Sequence, residues 1–93
     1  MGPEAEIERP ICKEAIRDGW LTYKVRFLDA NGAPDRMFGK RRRAVIIEFK
    51  APGERPTLQQ LKRHRELRES FGFEVHWCDS IDDARRILQL PGE

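Results

Sequence analysis

The run Ala44-Val45-Ile46-Ile47, closed by Glu48-Phe49-Lys50, constrains this chain more than any other stretch. An apolar, β-branched run of this length reads as a strand. Strand side chains alternate with a period of two, so Glu48 and Lys50 project from one face. A carboxylate and an ammonium at the end of a buried strand are costly unless they are paired, hydrated or bound to a metal. A simple salt bridge satisfies the pair. A second acid, Asp35 after Pro34, changes the balance: if it converges on the same face, the excess negative charge suits a hard cation with oxygen ligands.

The approach of that second acid is readable. Residues 35–38 and 43–50 form a hairpin around Gly39-Lys40-Arg41-Arg42. With Phe38 paired to Arg43, Asp35 lies opposite Ile46, which shares its face with Glu48, so both carboxylates converge. A slip of one residue would send them to opposite faces.

Around the hairpin the patterns alternate. Ile7, Ile11, Cys12 and Ala15 form an apolar stripe that predicts a helix over 4–17, ended by Asp18-Gly19. Pro10 removes one backbone bond and either kinks that helix or moves its start to Glu8. Residues 20–28 read as a strand and 29–34 as a loop of turn formers. Pro52, Gly53 and Pro56 break the chain before a helix over 57–70, which Gly72 stops. Phe73, Val75 and Trp77 alternate as a strand, and Ser80 with Asp83 opens a last helix carrying Ile81, Ala84, Ile87 and Leu88. The order α-β-β-β-α-β-α predicts an α/β fold, a central mixed sheet flanked by helices.

A length of 93 residues fits one domain spanning 1–93. Lys and Arg number 18 against 16 Asp and Glu, and a net charge of +2 is too small to establish a nucleic-acid partner unless the basic residues cluster. No apolar stretch approaches the ~20 residues that span a bilayer, and no signal-peptide pattern opens the chain, so a soluble, cytoplasmic protein with no membrane partner is expected. Cys12 and Cys78 lack any zinc-site spacing and read as small buried hydrophobes.

Three stretches in order, Gly32-Ala33-Pro34-Asp35-Arg36, then Val45-Ile46-Ile47-Glu48-Phe49-Lys50-Ala51-Pro52-Gly53, then Pro56-Thr57-Leu58-Gln59-Gln60, resemble the virus-type replication-repair nuclease (VRR-NUC) domain of the PD-(D/E)xK superfamily. The resemblance covers nearly the whole chain. It implies a restriction-endonuclease-like core and a DNA endonuclease dependent on Mg2+ or Mn2+. Asp35 and Glu48 would be metal ligands, with the main-chain carbonyl of Phe49 as a third oxygen. Lys50 would position or activate the attacking water, and Gln60 matches the family's helical glutamine near the active centre. Related junction resolvases carry a glutamate on the first helix, eleven residues before a glycine; Glu8 stands at that distance from Gly19 and takes the remaining catalytic and metal-binding acidic position, with Glu4 as the fallback. The resemblance also implies a phage or bacterial origin and branched DNA such as four-way junctions as substrate. Symmetric cutting of a junction needs two sites, hence a homodimer. Trp20, Trp77 and Leu90 point the same way, as more apolar surface than a small core absorbs.

Other readings compete for several of these residues. Thr57 with Gln60 fits a capping box, and Glu8 alone fits a solvated helix acid. His64, on a helix face with Leu61, Leu67 and Phe71 and one turn after Gln60, reads as a partly buried, hydrogen-bonded histidine rather than a catalytic base. Lys24 fits a position facing the metal site or a phosphate, and equally an exposed strand lysine. Lys40, Arg41, Arg42 and Arg43, with Arg36 nearby, form an uncompensated basic cluster able to contact DNA phosphates. Lys62, Arg63, Arg65 and Arg68 form a second, partly neutralised by Glu66 and Glu69. Both also fit a solvated face. The alternative class is a DNA-binding or assembly module with the nuclease fold and little turnover; keeping Asp35, Glu48 and Lys50 together argues against it.

Overall fold

An uninterrupted apolar run belongs on a strand covered on both faces, and Val45, Ile46 and Ile47 are all buried on an inner strand of the sheet. The computed structural model describes residues 2–27 and 35–91. Its elements are α1 (Ala5–Arg17), β1 (Leu21–Val25), β2 (Asp35–Lys40), β3 (Arg43–Phe49), α2 (Leu58–Phe71), β4 (Glu74–Cys78) and α3 (Ile81–Leu88). The four-stranded sheet runs β1-β2-β3-β4, with β1–β2 and β2–β3 antiparallel and β3–β4 parallel across the α2 connection. This is the mixed sheet, element order and α/β class that the sequence predicts.

The pleat sorts the core into two sides. Ile7, Ile11 and Ala15 of α1 and Ala84 and Leu88 of α3 pack with Phe38, Val45, Ile47 and Phe49 on one face. Leu67 of α2 packs with Ile46 and Val75 on the other. Helix α1 is unbroken through Pro10. Helix α2 begins with a full capping box: the Gln60 amide donates to Thr57 Oγ1 (3.1 Å) and the Thr57 amide to Gln60 Oε1 (2.9 Å). It ends at Gly72, whose φ of 75° is left-handed. Ser80 caps α3 through the Asp83 amide.

The hairpin register differs from expectation by two residues. Lys40 pairs with Arg43, Phe38 with Val45 and Arg36 with Ile47, because the turn is the two-residue Arg41-Arg42, with φ of 48° and 70°. Two-residue hairpin turns favour such angles for their twist, although arginine gives no signal for them. An even shift preserves the faces, so Asp35 and Glu48 still share one.

Other differences are local. Trp20 turns into the core instead of opening β1, and β1 ends at Val25; Leu28 and the 29–34 loop, Pro34 included, lie outside the described residues. Of the three side chains expected to exceed the core, Trp20 and Leu90 are buried in it and Trp77 is half-buried. The buried stripe of α2 is Gln60, His64 and Leu67, whereas Leu61 and Phe71 are exposed.

Candidate active site

One step beyond the Arg36–Ile47 pair, Asp35 at the start of β2 stands across from Glu48 near the end of β3, on the face covered by α2. Both are 1% exposed. Helix α2 delivers two side chains to them. His64, fully buried, places Nε2 2.7 Å from Glu48 Oε1. Arg63 places Nη2 3.3 Å from Glu48 Oε1 and 3.5 Å from Asp35 Oδ1, its guanidinium lying over the Phe27 ring. Lys50 Nζ lies 3.3 Å from Glu48 Oε2, an ion pair short of hydrogen-bond geometry. Both Asp35 carboxylate oxygens, Glu48 Oε2 and His64 Nδ1 are buried without a hydrogen-bond partner among the described residues.

Such unpartnered buried oxygens are costly in a folded protein, and they mark a place built for something else. Asp35, Glu48 and His64 each offer a ligand atom within 4.8 Å of the others, a spacing that suits one metal ion. The environment separates the two acids. Burial pushes Asp35 up to about 6; Arg63 opposes this and the neighbouring Glu48 adds to it. Burial pushes Glu48 up as well, but the His64 hydrogen bond and the charges of His64 and Lys50 together outweigh it, leaving that carboxyl below its ordinary range.

Several residues expected at the site are elsewhere. Glu8 is on the opposite face of the sheet, because its partner Arg36 alternates with Asp35 along β2. Arg36 Nε donates to Glu8 Oε2 at 2.7 Å and Lys24 Nζ approaches it to 3.6 Å, so Glu8 neutralises two cations there and is not brought to Asp35 and Glu48. The fallback Glu4 is exposed at the N-cap of α1. Arg36 and Lys24, expected to face DNA or the metal site, line a cleft beside α1 with Glu8, Arg9, Cys12 and Lys13. Gln60 is buried one turn before His64, with its Oε1 committed to the cap. The Phe49 ring points away from the site, edge-on to Phe38 at 6.4 Å.

The basic cluster is only partly uncompensated. Lys40 pairs with Asp18 at 3.0 Å, and Arg43 is bidentate to Glu74 while donating to the Ile87 carbonyl at 2.7 Å. Arg41 and Arg42 are exposed at the turn and enter no ion pair among the described residues. On α2, Arg68 Nε donates to the Val75 carbonyl, and Arg63 faces the acids.

No protein-family model matches the chain. Over 80 residues, 85% of this chain and 85% of the other, it is 35% identical to a protein of Acyrthosiphon pisum secondary endosymbiont phage 1 named "Putative nuclease p44". The chain belongs to the family of that phage nuclease.

Two residues of this p44-family site were not assigned to it from sequence: His64, read as a structural histidine, and Arg63, read as part of a phosphate-binding face. Both follow from which face of α2 is buried. The 3.6-residue period offers that signal through Gln60, His64 and Leu67, but the exposed Leu61 and Phe71 blur it. Among the described residues no helix is long and apolar enough to cross a membrane.

Proposed function

We propose that this protein is a metal-dependent DNA endonuclease of the VRR-NUC kind, selective for branched DNA such as four-way junctions and working as a homodimer in the cytoplasm of a phage-infected or bacterial cell. The observation that carries the reading is the opposed, buried pair Asp35 and Glu48 beside Lys50, three of whose four carboxylate oxygens lack hydrogen-bond partners among the described residues. Kinship with a phage protein named as a nuclease supports the reaction class. The order of Pro34-Asp35, Glu48-Phe49-Lys50 and Gln60 supports the VRR-NUC kind.

The donor set fits a divalent ion, Mg2+ or Mn2+: two hard carboxylates and the His64 imidazole offer ligand atoms within 4.8 Å of one another, and the VRR-NUC resemblance adds the Phe49 main-chain carbonyl as a further oxygen. When bound, such an ion supplies a water of lowered pKa and neutralises charge developing on the phosphate. Lys50, held against Glu48, orients the attacking water and offers a proton donor to the phosphate oxygens. Without the ion, His64 Nε2 lies 2.7 Å from Glu48 Oε1 and keeps that oxygen and the imidazole together on the side facing Arg63. Gln60 secures the helix turn from which Arg63 and His64 project. Arg41 and Arg42, at the hairpin tip, contact phosphates outside the cut site.

The test is a panel of end-labelled single-strand, duplex, flap and four-way substrates, incubated with Mg2+, Mn2+ or EDTA. Metal-dependent cutting strongest on the four-way junction is expected. Binding of every substrate with no cutting in any metal would move the assignment to the alternative, a DNA-binding or assembly module.

A further inference from the structure

The same nitrogen of Arg63, Nη2, lies 3.3 Å from Glu48 Oε1 and 3.5 Å from Asp35 Oδ1. It therefore bridges one oxygen from each acid that would hold the metal. The Arg63 side chain is 12% exposed, and those of Asp35 and Glu48 are 0% and 1% exposed. In so poorly hydrated a place, two carboxylates cannot face each other without a cation between or beside them. Arg63 and Lys50 together balance the charge of Asp35 and Glu48. A divalent ion added to that arrangement would overcharge it, unless one cation leaves.

Lys50 and Arg63 differ in where they sit: Arg63 lies between the two acids, and Lys50 lies to the side of one of them. Lys50 follows Glu48 by two residues on a strand end, its amide donating to the Cys78 carbonyl at 2.9 Å, and among the described residues its Nζ pairs with Glu48 Oε2, the oxygen that Arg63 does not touch. Arg63 reaches in from α2 along a long stem, so rotation about its side-chain bonds can withdraw the guanidinium without moving backbone. A guanidinium is also the side chain best suited to pair with a phosphate.

We infer that Arg63 is a built-in cation that holds the metal's place between Asp35 and Glu48. The divalent ion binds by displacing it, and the displaced guanidinium pairs with a phosphate of the DNA being cut. This rests on the endonuclease reading for its DNA half, but its metal half stands without it. Arg63 thereby lowers metal affinity in the absence of DNA, while contributing to cleavage.

The signature is a pair of opposite effects in Arg63→Gln. Binding of Mn2+ to the DNA-free protein, followed by the electron paramagnetic resonance signal of free Mn2+, should tighten by at least about tenfold, because the competing cation is gone. Metal-saturated cleavage of a labelled four-way junction should slow by about tenfold or more. Unchanged or weaker Mn2+ binding in the variant overturns the displacement. Tighter Mn2+ binding with unimpaired cleavage keeps the displacement and overturns the phosphate contact. If the wild-type protein cuts no DNA while Arg63→Gln still binds Mn2+ more tightly, the endonuclease reading fails and the displacement stands. Should the variant not fold, the wild-type protein carries the test: the Arg63 Nε–H nuclear resonance should shift and exchange faster with water as Mg2+ is added. A resonance unmoved at saturating Mg2+ overturns the displacement.

Discussion

Asp35 stands directly across the β2–β3 ladder from Glu48, both on the face that α2 covers. The pairing brings two buried acids together and pushes their proton affinities apart, Asp35 up to about 6 and Glu48 below its ordinary range. One carboxylate is thus firmly ionised, whereas its partner is held ready to take or release a proton.

A stability prediction follows for the metal-free protein. Because the folded-state value of Asp35 is raised from 3.8 to about 6, the unfolded chain ionises first, and stability falls as pH rises through that window. Asp35→Asn removes the loss. Urea unfolding in EDTA should show the variant gaining up to about 3 kcal/mol on the wild type between pH ~4 and pH ~6, then a constant difference. A difference that stays flat across the window would mean that Asp35 is not destabilised by burial.

Lys50 and Asp35 should fail differently. Lys50→Ala removes the group assigned to the water and leaves the acids in place, so Mn2+ affinity should stay within about threefold while the cleavage rate falls by about 10²–10³. Single-turnover cleavage at saturating metal, beside a Mn2+ binding isotherm, separates the two. A loss of metal affinity as large as the loss of rate would place Lys50 in the metal site itself.

At the hairpin tip, Arg41 and Arg42 adopt left-handed angles that disfavour arginine, and they are the exposed members of the basic cluster. Replacing both by Asn-Gly, which suits such a turn, should stabilise the fold by about 1 kcal/mol and lower the log–log salt slope of duplex binding by about 2. Fluorescence anisotropy across a salt series reads the slope. A slope equal to the wild type's would make the pair a turn without a phosphate role.

Arg43 belongs to the fold instead. It is bidentate to Glu74, stacks over Trp20 and donates to the Ile87 carbonyl, tying β3 to β4 and α3. Its partner Glu74 is driven down to about 2 by that hydrogen bond. Arg43→Ala should cost about 1–2 kcal/mol, discounted for the partial exposure of the pair, with little change in the salt slope. A lowered slope at unchanged stability would return Arg43 to the DNA-binding face.

Local pattern carried the strands and helices, and long-range packing carried the rest. Period-two alternation placed Glu48 and Lys50 on one face, and Asp35 converged although the register was off by two residues, because an even shift preserves faces. Nothing in Arg41-Arg42 announces a two-residue turn. Glu8 illustrates the deeper limit: spacing along α1 says nothing about which face of the sheet α1 covers, and the alternation of Asp35 with Arg36 puts Glu8 on the far side. His64 and Arg63 reach the acids for the complementary reason, since α2 crosses the near side between β3 and β4. Trp20 was readable as apolar but not as buried, because the cation–π partners Lys40 and Arg43 come from the hairpin.

Whether Asp35 and Glu48 share a catalytic metal is decided by the cleavage rate of Asp35→Asn on a labelled four-way junction across a magnesium titration. A shared metal makes Asp35→Asn a folded protein whose rate stays at least about 10³-fold below the wild type at every magnesium concentration, with junction binding in calcium retained. Wild-type rates for Asp35→Asn anywhere in that titration would mean that Asp35 holds no catalytic metal.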